Sequence, residues 1–492
     1  MINRRTFLTL STSAASGILL TQCVSNSIKA QSSSSLTSSA TQSSVGNLLE
    51  VDLEASFDQV SIAGQKAKLL SYNGQIPGPR LEAKPGDTIR INFTNKLSQP
   101  TNLHYHGLHI PPTGNADNVF LKIQPGESFT YEFTLPKNHP SGTFWYHPHL
   151  HGLVAEQLFG GLAGLLIVRG ELDEIPEIQA AEEQFLVLKD FALNGNQANF
   201  QGHMGIMLGR EGELLTVNGE LNPNFSIPKG GLLRLRILNA STSRFYRLKL
   251  EEHPLYLIAT DGGSISEPVE LSEVLLTPGE RVEILVRGER EPGQYRLLNL
   301  PYDRTGGMGG GMMGRGMMGG GRMGGGMRGN RSNTNTPQTL ATFSYKNSVE
   351  TLPLPKQLIA VPELPEPQET RRFTLNHGMA PGMGMVFLIN GEPFEMGNPD
   401  TVVKLNTVED WEIANTGTMD HPFHLHTNDF QVISRDNKPE PYRAWKDTTL
   451  VKRGEVVRIR IPFKDYPGKT VYHCHILDHE DLGMMATIDM KA

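Results

Sequence analysis

Three times along this 492-residue chain an Asn-Gly pair is followed, after a comparable interval, by a turn ending in Gly-Glu. Asn73-Gly74 precedes Pro125-Gly126-Glu127, Asn218-Gly219 precedes Pro278-Gly279-Glu280, and Asn390-Gly391 precedes Arg453-Gly454-Glu455. One such turn is common in β-proteins, but an ordered triplet marks a repeated unit, and three units account for a chain too long for one core. The segments between the turns alternate in the period of a strand. Ile89, Ile91 and Phe93 alternate with Arg90, Asn92 and Thr94; Leu233, Leu235 and Ile237 with Arg234 and Arg236; Val457, Ile459 and Ile461 with Arg458 and Arg460. These are expected to be half-buried strands, and long amphipathic helices are not evident. The sequence thus predicts an all-β fold of three sandwich domains in tandem, over 46–170, 171–350 and 368–492, with a Pro-rich linker at 351–367.

The ends of the chain and one insert stand apart from this pattern. Asn3-Arg4-Arg5-Thr6-Phe7-Leu8-Thr9 runs into a mildly apolar stretch from Ala14 to Leu20, which reads as a cleavable export signal over 1–30. Its paired arginines resemble a twin-arginine signal, the route of proteins exported already folded. Release after Ala30 is favoured over lipid anchoring at Cys23, because Gln22 is a poor residue before a lipidated cysteine. The Ser-rich tract that follows, to residue 45, is expected to be a flexible leader. Beyond the N-terminus no apolar run is long enough to span a membrane. A net charge of -7 and a pI near 6.2 argue against a nucleic-acid partner. Within the second domain, 306–329 is almost entirely Gly, Met and Arg, and its glycines deny it a stable helix.

Chemistry concentrates near the C-terminus. In a strand ending at His473-Cys474-His475, the two histidines face one way and the cysteine the other, so one tripeptide can serve two metal sites. Cys474, His479 and Met484 supply a thiolate, an imidazole and a weak axial thioether, the ligand types of a blue-copper centre. Cys474 is one of only two cysteines, and Cys23 is expected to leave with the signal, so no disulfide explains it. Three further clusters match: His104-Tyr105-His106, His147-Pro148-His149, and His421-Pro422-Phe423-His424-Leu425-His426. A lone histidine is seldom a ligand, but repeated His-x-His pairs place two imidazoles on one strand face each time. His109, His139, His151, His203, His253 and His377 show no such pattern.

With these four motifs complete, and with Asn73-Gly74-Gln75-Ile76-Pro77-Gly78-Pro79 at its start, the chain resembles the three-domain multicopper oxidases, the type of bacterial laccases and copper efflux oxidases. The resemblance implies cupredoxin-like Greek-key sandwiches and four coppers, with dioxygen reduced to water. It implies a type 1 copper on His421, Cys474, His479 and Met484, and a type 2 copper on His104 and His424. The type 3 pair then takes His106, His147, His149, His426, His473 and His475. Domains one and three must meet to assemble the last two sites, and domain two becomes a spacer carrying no copper. Asp117 and Glu480 match family acids and are assigned to proton delivery or tuning of the ligands.

The reducing substrate is expected to be cuprous ion. Thioethers are soft and favour Cu(I), and Met308, Met312, Met313, Met317, Met318, Met323 and Met327 crowd the insert. Met379, Met383 and Met385 form a second group, and Met419 precedes His421 by two residues. Against this, the acid that copper efflux oxidase places four residues before the type 1 histidine is Gly417 here, with Asp420 nearby. The alternatives are a laccase acting on phenols, aromatic amines or other metal ions, and a non-catalytic copper-binding scaffold of cupredoxin fold. A monomer is expected.

Overall fold

The computed structural model describes residues 40–200, 203–305, 336–380, 384–397 and 399–492. The expected signal, most of the leader, the Met-rich insert and Met383 lie outside the described residues, as does the side chain of His203.

The described residues form six sheets, three of five strands and three of six. Apolar side chains from one sheet of each size meet in a common core, as alternation requires. In the first core Leu49, Ile91 and Phe93 meet Tyr105, Phe144 and Leu166. Leu235 and Ile284 meet Leu248, Leu297 and Phe343 in the second. The third joins Leu375, Ile413 and Ile459 to Phe423, Tyr472 and Ile488, and contains Cys474 and Met484.

The repeat read from the turns is literal at the level of hydrogen bonds. Asn73, Asn218 and Asn390 have φ of 53°, 55° and 56°, and the following glycines also have positive φ, the type I′ geometry that Asn-Gly favours. Each Asn side chain accepts a backbone N–H from a neighbouring strand: Glu54 at 2.7 Å, Val187 at 2.9 Å and Thr374 at 2.8 Å. The later turns close on a second asparagine. Gly126, Gly279 and Gly454 donate their N–H to the carbonyls of Asn95, Asn239 and Asn415. Those three side chains each donate to two further carbonyls, Gln99 and Ile123, Arg244 and Leu276, Met419 and Val451.

Two expectations need correction. Thr41–Ser43 is not flexible leader but a strand paired in parallel with Arg80–Ala83. Pairing runs through backbone groups, so polar side chains do not prevent an extended segment from covering an open sheet edge. The strand Leu232–Asn239 is buried on both faces rather than one. Arg234 and Arg236 are 3% and 0% exposed because Glu283, Glu183 and Asp173 surround their guanidinium groups. The Pro-rich linker is packed: Leu352, Leu354, Leu358 and Ile359 lie against Leu232, Ile258 and Leu285.

Candidate metal centres

Sheet register assembles the histidines. His104–His106 pairs with Gly142–His147 so that His104 lies opposite His147, and His421–Leu425 pairs with Gly468–Cys474 so that His424 lies opposite His473. The two sheets, from the first and third sandwiches, bring their histidines ring to ring. His106 stacks on His424 with centroids 3.8 Å apart, and His104 on His426 at 3.9 Å. His149 Nε2 and His426 Nε2 each approach His473 Nε2 to 3.1 Å. His475 lies 5.0 Å from His106 and 5.8 Å from His147, centroid to centroid. All eight rings are buried.

Four of the eight rings are braced at one nitrogen and open at the other, and His475 is open at both. His104 Nδ1 donates to Asp117, at 2.8 Å and 3.0 Å from its two oxygens; His106 Nε2 meets Asp447 at 3.0 Å; His147 Nδ1 donates to the Pro148 carbonyl at 2.9 Å; His424 Nδ1 donates to the Asp447 carbonyl at 2.9 Å. The opposite nitrogens, His104 Nε2, His106 Nδ1, His147 Nε2 and His424 Nε2, have no hydrogen-bond partner, and neither nitrogen of His475 has one. Burial, with neighbouring imidazoles, holds His104, His147, His426 and His473 well below the ordinary histidine range, and His149 falls to about 3. Neutral imidazoles with inward lone pairs and no proton donor are what metal ions satisfy, and so many unpaired buried nitrogens have no other evident source of stabilisation.

The second cluster lies on the other face of Cys474. His421 Nδ1 is 3.5 Å from Cys474 Sγ, His479 Nδ1 is 3.9 Å from it, and the two nitrogens are 3.3 Å apart. The short helix Leu477–Asp481 brings His479 back to the strand, and Met484 donates its N–H to the His479 carbonyl at 2.8 Å. Met484 is fully buried in the same apolar cluster. Burial pushes the Cys474 thiol up, so only a bound cation keeps it as thiolate in this pocket. His473 and His475, one bond-chain away on either side, belong to the eight-histidine cluster.

Three groups in or beside the clusters escaped the sequence reading. Asp447 stands outside any His-x-His pattern yet touches His106 and lies 3.5 Å from His424. Its carboxylate is clamped by Arg281, at 2.9 Å and 2.7 Å, which holds it well below the usual range although burial opposes this. Arg281 comes from the middle sandwich, which is therefore more than a spacer. Gly107 makes room for the pair, since a Cβ there would lie 2.3 Å from Arg281 Nη2 and 2.5 Å from Asp447 Oδ2. The third group is His377, whose buried Nδ1 also lacks a partner.

The remaining singled-out residues fall as follows. Asp117 is buried, accepts the Tyr105 N–H as well as His104, and is raised by burial to about 7. Glu480 is fully buried 3.2 Å from His473 Nδ1, has no hydrogen-bond donor, and is pushed well above the usual carboxylate range by burial and then by Asp481. Met419 is 4% exposed, inside the third core. Asp420 is fully engaged, accepting from the Tyr302 hydroxyl at 2.7 Å and the Arg453 N–H at 2.9 Å. His151 lies outside both clusters, its ring against Phe394 at 4.8 Å.

Family models described as multicopper oxidase match residues 54–173, 178–309 and 364–491. The chain belongs to the multicopper oxidase family. It is 31% identical over 428 residues to the multicopper oxidase mco of Staphylococcus haemolyticus, covering 85% of this chain and 83% of that one. Among solved structures it is similar to a multicopper oxidase of Campylobacter jejuni described as a metallo-oxidase, with a TM-score of 0.80, 31% identity, and 93% and 95% of the two chains covered. It is also similar to the laccase-like multicopper oxidase CueO of Ochrobactrum sp., with a TM-score of 0.77, 26% identity, and 92% and 99% coverage. As a multicopper oxidase it is an oxidoreductase that uses dioxygen and four coppers, one type 1, one type 2 and a type 3 pair, within three cupredoxin-like domains. No helix among the described residues is long and apolar enough to cross a membrane.

Proposed function

We propose that this multicopper oxidase takes its electrons from cuprous ion outside the cytoplasm, exported through the twin-arginine route. In this reading His421, Cys474, His479 and the axial Met484 hold the type 1 copper. His104 and His424 hold the type 2 copper, and His106, His147, His149, His426, His473 and His475 the type 3 pair. The coppers supply single-electron acceptance and the storage of four electrons for dioxygen. Everything else falls to the chain. Cys474 and its two neighbours join the centres through a few covalent bonds. Asp117 orients His104 while raised to about 7, so it holds or gives up a proton near neutrality. Glu480, buried beside His473 and His149, stays protonated and can pass that proton inward.

The observation carrying the cuprous reading is where the insert leaves the fold. Arg304, just before it, accepts the Asp420 N–H on its carbonyl at 2.9 Å, and Tyr302 bonds the Asp420 side chain, so the described chain ahead of the insert is tied to the residue preceding type 1 ligand His421. The Campylobacter relative is described as a metallo-oxidase, in line with this. Deleting Gly306–Gly329 is expected to raise KM for Cu(I) by at least about tenfold while phenol oxidation persists. Unchanged Cu(I) kinetics would refute capture by the insert. A second reading, a laccase, draws on a cavity of about 340 Å3 lined by Arg244, Phe245, Tyr302 and Arg304, and on the Ochrobactrum relative's activity towards lignin model compounds. Faster turnover of phenols than of Cu(I) would favour it.

A further inference from the structure

The hairpin of Glu369–Ala380 and Gly384–Ile389 runs from the third core out past the type 1 ligands. Its inward face carries Phe373, Leu375, Phe387 and Ile389, all in the cluster that contains Cys474 and Met484. Strand alternation puts His377 and Met379 on that same face, and directly paired residues share a face. His377 pairs with Phe387, and Met379 with Met385, with no irregularity in register. Phe387 stacks on His479, centroids 3.8 Å apart. One step outward the face changes character, from aliphatic and aromatic to imidazole and thioether. Met385 is half-buried against the core and Met379 is 77% exposed.

Two nitrogens at this point have no partner. His377 Nδ1 and His421 Nε2 are buried without a hydrogen bond, and they flank Gly417. A Cβ on Gly417 would lie 3.4 Å from the first and 3.6 Å from the second. His421 thus turns Nδ1 toward Cys474 and Nε2 toward the gap. Asp420 cannot fill the role of the acid absent from position 417, because both its oxygens are already hydrogen-bonded.

We infer that His377 Nδ1, with the thioethers of Met379 and Met385, forms a docking site for the substrate Cu(I) immediately outside the type 1 imidazoles. This deepens the cuprous reading and rests on it. An imidazole and two thioethers are neutral and soft, so they hold Cu(I) in preference to Cu(II) and release the ion once it is oxidised. Each cuprous ion would give up one electron, and the His421 ring, which faces Cys474 with Nδ1 and the gap with Nε2, would be its route toward the type 1 site. Four such losses, with four protons, reduce one dioxygen to two waters.

The test uses the copper-loaded full chain and redox-inert Ag(I) as a stand-in for Cu(I). Calorimetric titration of His377→Ala, and separately of Met379→Leu combined with Met385→Leu, is expected to show one Ag(I) site lost or weakened at least about tenfold. KM for Cu(I) should rise by a similar factor, while the blue absorption stays as in the parent. Parental Ag(I) binding and parental KM in both variants would overturn the site. A parent enzyme that binds Ag(I) at His377 but does not oxidise Cu(I) would instead overturn the proposed reductant and leave the site standing. The double methionine variant keeps the test decisive if His377→Ala fails to fold.

Discussion

The two faces of the Cys474 strand are built on different plans. On one side, eight imidazoles come from the first and third sandwiches, and the carboxylate bracing His106 is itself held by Arg281 of the middle one. On the other, His421, Cys474, His479 and Met484 all come from one sandwich within 64 residues of sequence. The first cluster exists only when the whole chain has assembled, whereas the second needs one folded domain. A centre that handles dioxygen gains from being sealed between domains, where buried neutral imidazoles meet little water. A centre that accepts electrons must lie near a surface, and on that side Phe387 stacks on His479 while Gly417 and His377 adjoin His421.

The largest effect expected from this contrast is at the shared residue. Cys474→Ser removes the soft anionic ligand and should abolish the blue absorption and reduce turnover by more than about 100-fold, read by visible spectroscopy and oxygen uptake. A variant that remains blue would break the assignment of Cys474 to that centre. Next comes a change that touches only the assembled side. Arg281→Met leaves the Asp447 carboxylate buried without its counter-charge, and loss of one partner of such a pair costs about 3–5 kcal/mol. Chemical denaturation should register that loss, and oxygen uptake should drop by about 10–100-fold because His106 and His424 lose their brace. The blue colour should persist at temperatures where the variant stays folded. If colour and oxygen reduction fail together under those conditions, the two faces are not independent.

What the sequence disclosed follows the same division. Strand alternation and His-x-His spacing are local, so three sandwiches and the histidine motifs could be read from the sequence, and the resemblance to the family divided those motifs between two clusters. Asp447 and Arg281 could not, since a lone Asp and a lone Arg, 166 positions apart, have no periodicity to mark them. Burial of Arg234 and Arg236 was misread for a related reason: alternation with leucines signals a wet face unless the acids that cover it, Asp173, Glu183 and Glu283, are known to converge. The asparagine knots were accessible in principle. Asn95, Asn239 and Asn415 each end a strand to which a later Gly-Glu turn returns, and aligning the three copies on those strands exposes them. The third copy hid this because Val457–Ile461, the most evident alternating strand there, pairs with the asparagine-bearing strand instead of being its counterpart.

The smallest expected effect sharpens the open side. Met484 is fully buried beside Cys474, and leucine has nearly the same volume, so Met484→Leu should change stability by less than about 1.5 kcal/mol. The thiolate and both imidazoles remain, so the blue absorption should also remain. What changes is donation from sulfur, which is weak but stabilises Cu(II) more than an alkyl group does. Its removal therefore favours the reduced state, and the type 1 potential, measured by redox titration of the blue band, should rise. A lowered potential would mean that Met484 acts on the centre through packing, with Phe387 on His479 setting the geometry instead. Because that ring and the His377 face belong to the same hairpin, the sign of this shift also tells whether the hairpin tunes the copper or only delivers electrons to it.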